Sequence, residues 1–212
     1  MTSGHRDPLT VFVVDDDPAI RDSLSLMLGL AGYRTALFAD AEAFLDAYRD
    51  AWAGCVVADL RLPGRSGVEL QAELRARGSA LPLVIITAHG DVPAARVAFQ
   101  AQAVDFLEKP FDDTQLRAAI ETAFAIEERR IQSTHARRSD ADRLAKLTSR
   151  EHQVLDYAAK GLHAKEIAAA LGISSRTVEV HKTRIMAKLG VRNVAELVRF
   201  ALAAETPQQR RR

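Results

Sequence analysis

Cys55-Val56-Val57-Ala58-Asp59 is a short apolar run that ends in an acid, and similar runs recur in the first half of the chain. The other runs, each followed at once by polar residues, are 11–14 (before Asp15), 83–86 (before Thr87) and 104–107 (before Glu108 and Lys109). Runs of this length are typical of buried strands in a parallel sheet. Ligands bind at the carboxyl edge of such sheets, which is where these polar residues would lie.

The 212 residues, 48% of them hydrophobic, are enough for two modest domains with buried cores. The formal net charge is +1, but the two parts of the chain carry opposite net charges. Residues 1–126 carry 11 Lys and Arg against 18 Asp and Glu, a charge of −7, whereas residues 127–212 carry 18 against 10, a charge of +8. A basic second part predicts a nucleic-acid or acidic partner.

Composition also excludes several classes of protein. Cys55 is the single cysteine, so an internal disulfide and a multi-cysteine zinc site are impossible. No apolar stretch approaches the roughly 18 residues that a membrane span needs. Residues 1–8 are polar and lack the apolar core of a signal peptide. We therefore expect a soluble, cytoplasmic protein without a membrane partner.

The first part of the chain alternates strand-like and helix-like segments. Strands are predicted near 10–14, 35–38, 55–58, 83–87 and 104–107, and helices over 18–31, 41–48, 67–76, 93–100 and from Thr114. Five strand–helix pairs of this kind indicate an α/β fold, with a parallel sheet covered by helices on both faces.

The second part of the chain is predicted to be all-α. Thr148 and Glu151 form a capping-box pattern that starts one helix, and Gly161 ends it. Further helices are predicted over residues 164–171, from Ser174 to Leu189, and over residues 194–203, so the middle pair indicates a helix-turn-helix. Between the two parts, residues 127–146 are predicted to hold a solvated helix end followed by a tether.

The polar residues at the strand ends have complementary chemistry. Asp15 or Asp16, together with Asp59 and the backbone carbonyl of Arg61, would supply the oxygen ligands that Mg²⁺ or Mn²⁺ prefers. Asp59 can act as an oxygen nucleophile toward phosphorus and form an acyl phosphate. Lys109 would balance the phosphoryl charge, and Thr87 would donate a hydrogen bond to it. A single acid at a strand end usually caps a loop, but this whole set predicts phosphoryl transfer.

Four motifs resemble the receiver domain of two-component response regulators. They are Val13-Val14-Asp15-Asp16-Asp17-Pro18, Asp59-Leu60-Arg61-Leu62-Pro63-Gly64-Arg65-Ser66-Gly67, Ile86-Thr87-Ala88-His89-Gly90 and Glu108-Lys109-Pro110-Phe111. The resemblance implies a flavodoxin-like (βα)5 fold with strand order 2-1-3-4-5. It implies that Asp59 accepts phosphate from a sensor histidine kinase, and that Thr87 and Phe106 form a switch. The Lys109–Pro110 bond is predicted to be cis.

The helix predicted from Ser174 carries the candidate contacts to nucleic acid. Val178, Ile185 and Leu189 share one face and should pack inward. The candidate DNA contacts on the other faces and at the rim are Arg176, Thr177, Glu179, Val180, Lys182, Thr183 and Arg184. The basic members of this set can neutralise phosphates. Glu179 can accept a hydrogen bond from a cytosine amino group, and Val180 can contact a thymine methyl group.

This part of the chain resembles the LuxR/FixJ-type four-helix DNA-binding domain. The motifs that carry the resemblance are Leu147-Thr148-Ser149-Arg150-Glu151, Lys165-Glu166-Ile167-Ala168, Leu171-Gly172-Ile173-Ser174 and Arg176-Thr177-Val178-Glu179-Val180-His181. Together with the receiver it is similar to the FixJ subfamily of response regulators. The resemblance implies a transcription factor, with a homodimer on phosphorylation, a double-stranded DNA operator and RNA polymerase as partners. We expect a receiver over 8–126, a partly helical linker over 127–143, the DNA-binding domain over 144–205 and a disordered tail over 206–212.

Three other functions fit this sequence less well. A phosphatase with an aspartyl-phosphate intermediate would need a second acid two residues after Asp59, where this chain has Arg61. A helical domain that binds RNA or protein is less favoured by the pattern from Arg176 to Arg184. A receiver that works without phosphate is unlike this chain, because its acids, Thr87 and Lys109 are all present.

Overall fold

The computed structural model describes residues 9–88, 96 and 102–205. The chain divides into two compact units, one ending at Arg130 and one beginning at Ile131. Across the described residues, we find no helix with the length and apolar character that a membrane crossing requires.

The first unit is built on a five-stranded parallel sheet. Its strands are β1 (Thr10–Val14), β2 (Arg34–Phe38), β3 (Gly54–Asp59), β4 (Leu83–Thr87) and β5 (Asp105–Glu108). Their order is β2-β1-β3-β4-β5, which confirms the predicted α/β topology. Strands β3 and β4 are buried along their whole length, because helices cover both faces of the sheet, and this explains their continuous apolar runs.

Helices pack on each face of the sheet. They are α1 (Pro18–Leu30), α2 (Ala41–Ala47), α3 (Gly67–Ala76) and α4 (Asp113–Leu144). Alternate residues of β1 point to opposite faces, so that Phe12 joins the core beneath α2 and α3 while Val13 joins the core beneath α1 and α4. Of the helix predicted over 93–100, the structure describes residue 96 alone, and the rest of it lies outside the described residues.

Helix α4 is longer than the sequence indicated. A helix end followed by a tether was predicted within residues 127–146, whereas one uninterrupted helix continues to Leu144. The physical reason is local, because the helix contains no Gly or Pro. Ion pairs one turn apart, between Arg130 and Glu127 and between Arg143 and Asp140, add further support.

Beyond the end of α4, the described part of the second unit contains four helices and no strand, as predicted. They are α5 (Ser149–Ala159), α6 (Ala164–Leu171), α7 (Ser175–Leu189) and α8 (Val194–Glu205). Thr148 and Ser174 cap α5 and α7 with their side chains, and Gly172 ends α6 with a φ of 65°. One apolar core joins the four helices, with Val154, Ile167, Val178, Ile185 and Leu197 all fully buried. The tail predicted over 206–212 lies outside the described residues.

Candidate functional site

The carboxyl edge of the sheet brings the predicted acidic-site residues together. Asp15 follows β1 directly, Asp59 ends β3, Thr87 ends β4, and Lys109 follows β5. These strands lie side by side in register, with Val14 opposite Ala58 and Asp59 opposite Ile86. Parallel strands that end at the same level therefore deliver two carboxylates, a hydroxyl and an ammonium to one edge.

Lys109 joins the two buried acids of this edge. Its Nζ lies 2.8 Å from Asp15 Oδ2 and 2.7 Å from Asp59 Oδ2. The second oxygen of each acid accepts a backbone N–H at 2.9 Å, from Asp17 for Asp15 and from Arg61 for Asp59. Asp15 is 1% exposed and Asp59 is 8% exposed, so the open edge reaches mainly the Asp59 carboxylate.

The ionisation of Lys109 follows from these contacts. Burial opposes its charge, but the hydrogen bonds from its ammonium to Asp15 and Asp59 outweigh burial, and the pKa of Lys109 is raised. Lys109 therefore stays protonated near neutral pH and keeps the two carboxylates close to each other.

The donor set fits a hard divalent cation. With Asp16, which is exposed at the rim, the three acids carry a formal charge of −3 against the +1 of Lys109, an excess that a divalent ion would balance. Within the described ranges, no three His, Cys, Asp or Glu side chains are grouped as a ready-made metal site. Mg²⁺ does not require such a group, because it binds through one or two carboxylates and keeps several waters.

Thr87 and Phe106 lie on one face of neighbouring strands. Phe106 pairs with Ile85, and Ile85 and Thr87 are two residues apart on β4, so the ring and the hydroxyl share a face. Thr87 is 1% exposed, and its carbonyl accepts the backbone N–H of Lys109 at 2.7 Å. Phe106 is half-buried against the core beneath α2 and α3. The Lys109–Pro110 bond is cis, as predicted.

Two residues near this edge were not assigned a role from the sequence. Arg21 on α1 donates from Nη1 to the carbonyl of Asp15 at 2.6 Å, and nothing in the local pattern signals this bond. Gly67 starts α3 so close to Asp59 that a Cβ on it would lie 2.5 Å from the Asp59 carbonyl oxygen. The sequence signal that could have identified Gly67 is its position at the end of the motif that begins at Asp59.

Helix α7 presents most of the predicted DNA contacts to solvent. Val178, Ile185 and Leu189 are fully buried, as their spacing predicted. The exposed members of the predicted set are Arg176, Thr177, Glu179, Val180, Thr183 and Arg184. Val180 is 44% exposed, so its methyl groups are accessible from solvent.

Lys182, which was predicted at the rim of this surface, is more buried than the other members of the set. It is only 8% exposed, because residues 178, 182, 185 and 189 follow the heptad spacing of the packed face. Its ammonium reaches the edge of that face, where it bonds to Glu179 Oε1 at 3.2 Å. The buried stem and the ion pair with Glu179 distinguish Lys182 from the exposed members of the predicted set.

Two basic residues connect the helices of this unit, and the sequence alone did not indicate their roles. Lys188 Nζ bonds to Glu151 Oε2 at 2.6 Å and to the carbonyl of Lys146 at 3.1 Å. The bond from Lys188, helped by the backbone N–H of Thr148, lowers the pKa of Glu151 from 4.5 to about 2. Arg150 donates to the carbonyl of Leu171, at the end of α6. These contacts fix α6 and α7 against α5.

Two family models match the chain, one for each part. The response regulator receiver domain matches residues 11–121, and the bacterial regulatory proteins of the luxR family match residues 145–201. The transcriptional regulatory protein FixJ of Bradyrhizobium diazoefficiens is 45% identical over 203 residues, which are 96% of this chain and 97% of that protein.

Other relatives agree over both parts. The C4-dicarboxylate transport transcriptional regulatory protein DctR of Rhodobacter capsulatus is 41% identical over 193 residues, 90% of this chain and 98% of that protein. The solved structure of the response regulator StyR is 42% identical, with a TM-score of 0.82, and covers 93% of this chain and 100% of that one. The similarity therefore extends beyond either domain alone.

Proposed function

Because the chain belongs to the FixJ subfamily of two-component response regulators, we propose that phosphorylation of Asp59 switches it into a DNA-binding transcriptional activator. The observation that carries the proposal is the ammonium of Lys109, shared by Asp15 and Asp59 at 2.8 and 2.7 Å. A nucleophilic carboxylate, a second acid and a fixed cation at one open edge are what phosphoryl transfer to an aspartate needs.

The proposed reaction transfers phosphate from a phosphohistidine of the sensor kinase. An oxygen of Asp59 attacks phosphorus, so that an O–P bond forms while the N–P bond breaks and its electron pair returns to the histidine nitrogen. Lys109 balances the added negative charge, since it stays bonded to Asp15 when the phosphoryl group arrives. A Mg²⁺ or Mn²⁺ ion held by Asp15, Asp16, Asp59 and the carbonyl of Arg61 would supply further charge neutralisation at the phosphoryl oxygens.

The switch is proposed to work through Thr87 and Phe106. The Thr87 hydroxyl moves toward a phosphoryl oxygen, and the ring of Phe106, on the same face, turns inward into the space that this movement opens. Without phosphate the two arrangements are in equilibrium, and phosphorylation shifts the population toward the second. Since this ring has no hydroxyl, its inward state should be apolar and well buried.

Signal output is proposed to be receiver pairing. The surface of β5 and the start of α4, together with the helix that the sequence predicts over 93–100, would pair with a second copy and hold two DNA-binding domains for a two-fold symmetric operator. Pairing raises affinity through effective concentration, without a new contact to DNA. The proposed contacts on α7 are Arg176, Thr177, Glu179, Val180, Thr183 and Arg184, and RNA polymerase is the proposed partner at the promoter.

The charge of −7 over residues 1–126 and of +8 over residues 127–212, of which +4 lies in the domain over 144–205, suggests a resting state in which the acidic receiver masks the basic domain. Such a mask should weaken as salt rises, because exposed charges are screened within about 10 Å at 0.1 M. If salt leaves the association of the two separately expressed parts, 8–126 and 144–205, unchanged, an electrostatic mask is ruled out. We propose these same boundaries for the two functional domains.

Sedimentation velocity tests the switch directly. Wild-type protein and Asp59→Asn are each compared with and without acetyl phosphate and Mg²⁺, and intact mass shows whether phosphate has been taken up. We expect only phosphorylated wild type to become a dimer. A phosphorylated monomer would refute pairing as the output, whereas no uptake of phosphate would refute the proposed role of Asp59.

A further inference from the structure

Lys182 is a buried cation on the helix that carries the proposed DNA contacts. It is 8% exposed and lies at the heptad position between Val178 and Ile185, both fully buried. A charged ammonium at such a position costs free energy unless it is paired. The partner that the structure provides is Glu179, one turn earlier on α7, at 3.2 Å.

Glu179, the other member of this ion pair, faces solvent. Its side chain is 61% exposed, and Val180, the next residue, is also exposed. An acid on a DNA-facing surface is repelled by the phosphates and, as a flexible side chain, can take up many rotamers. The bond to Lys182 offsets both effects, since it places a positive charge beside the carboxylate and restricts the side chain.

We propose that Lys182 is a positioning residue, which holds Glu179 for base recognition and does not itself contact DNA. The ion pair uses Glu179 Oε1, and the second oxygen, Oε2, can accept a hydrogen bond from a cytosine amino group in the major groove. This inference rests on the proposed function of α7. It assigns to the Glu179–Lys182 pair the specificity for one base pair of each half-site.

A direct phosphate contact is the competing role for Lys182, and the two roles have different signatures. Each phosphate contact releases a counterion. Loss of such a contact therefore makes the fall of log affinity with log salt less steep by about 0.9 and weakens binding to all DNA sequences equally. Loss of a positioning residue leaves that slope unchanged and affects only the base pair that Glu179 reads.

The experiment uses the full chain treated with acetyl phosphate and Mg²⁺. Wild type first selects duplexes from a randomised library, and the enriched duplex and each of its single base-pair replacements then serve as probes. Lys182→Met removes the ammonium and keeps an unbranched side chain, whereas Lys182→Arg keeps a positive charge at this position. Glu179→Gln replaces the carboxylate proposed to read the base. Affinities are measured over a range of salt concentrations, with circular dichroism as the check that each variant folds.

We expect Lys182→Met and Glu179→Gln to lose discrimination at the same base pair, by roughly five- to a hundred-fold. Lys182→Arg should retain it, and the salt slope of Lys182→Met should equal that of wild type. The inference would be overturned, with DNA binding intact, if Lys182→Met kept its discrimination at that base pair or if its salt dependence became less steep by about 0.9. If wild type enriches no duplex, the proposed function itself fails. Should Lys182→Met not fold, Lys182→Gln takes its place with the same expected result.

Discussion

Replacing Lys188 with Met should destabilise the helical unit by about 2 kcal/mol, because it leaves the Glu151 carboxylate without its cation. Glu151 is 3% exposed and Lys188 Nζ lies 2.6 Å from its Oε2, whereas the backbone N–H of Thr148 donates to the same oxygen at 2.7 Å. Met has an unbranched stem of similar length, so the change removes mainly the charge and its hydrogen bonds.

The magnitude follows from the pKa of Glu151, which is lowered from 4.5 to about 2 by the bond from Lys188 first and the bond from Thr148 second. Each pKa unit corresponds to about 1.4 kcal/mol, so the whole shift is worth about 3 kcal/mol. Thr148 keeps its bond in the variant, and solvent screens part of the interaction with the one-third exposed Lys188, so we expect a loss of about 2 kcal/mol.

Hydrogen exchange of the full chain, followed by mass spectrometry, measures this loss locally. Peptides from α5, α6 and α7 should exchange about 30-fold faster in Lys188→Met, whereas peptides from β1, β3 and β4 serve as an internal control. Lys165→Met, which removes an exposed lysine of α6, is the matched control and should leave exchange unchanged. Equal exchange in Lys188→Met and wild type would refute the reasoning.

The same pair sets a pH dependence with a definite sign. The pKa of Glu151 is lower in the folded than in the unfolded state, so its stabilising contribution is present above about pH 4.5 and is lost as pH falls toward about 2. The helical unit of wild type should therefore weaken more steeply over this interval than that of Lys188→Met. Parallel pH profiles for the two proteins would contradict the assignment of the pKa shift to Lys188.

Two further predictions concern the receiver. Gly67→Ala should lower its thermal stability, monitored by the fluorescence of Trp52, the single Trp, because the new Cβ would lie 2.5 Å from the Asp59 carbonyl oxygen. Gly29→Ala, whose Cβ meets nothing within 4 Å, is the control and should cause no loss; equal melting of both variants would contradict a close approach. Burial, with a smaller effect of Glu127, raises the pKa of the Cys55 thiol to about 12, so a disulfide reagent at pH 8 should label unfolded but not native protein. Equal labelling of the two states would show that Cys55 is accessible.

Much of the receiver site could be predicted from the chain because its causes are local or topological. Apolar runs of strand length and amphipathic spacing depend on neighbouring residues, and the polar residues that follow each run must meet once the strands are parallel. Asp15, Asp59, Thr87 and Lys109 were predicted on this basis and lie together. The helix-turn-helix was equally accessible, since Thr148, Ser174 and Gly172 mark helix ends by short-range hydrogen bonds and backbone geometry.

Contacts between distant residues were decided by the tertiary structure alone. Glu151 and Lys188 are 37 residues apart, and the bond from Arg21 to the Asp15 carbonyl depends on how α1 packs on the sheet. Lys182 was predicted at the rim of α7, and the packing of the helices decided that only 8% of it is exposed. Sequence thus determined which residues form each helix and strand, because hydrogen bonding and apolar periodicity act over a few residues. Packing decided which charges meet and which face each side chain takes, because both depend on elements far apart in the chain.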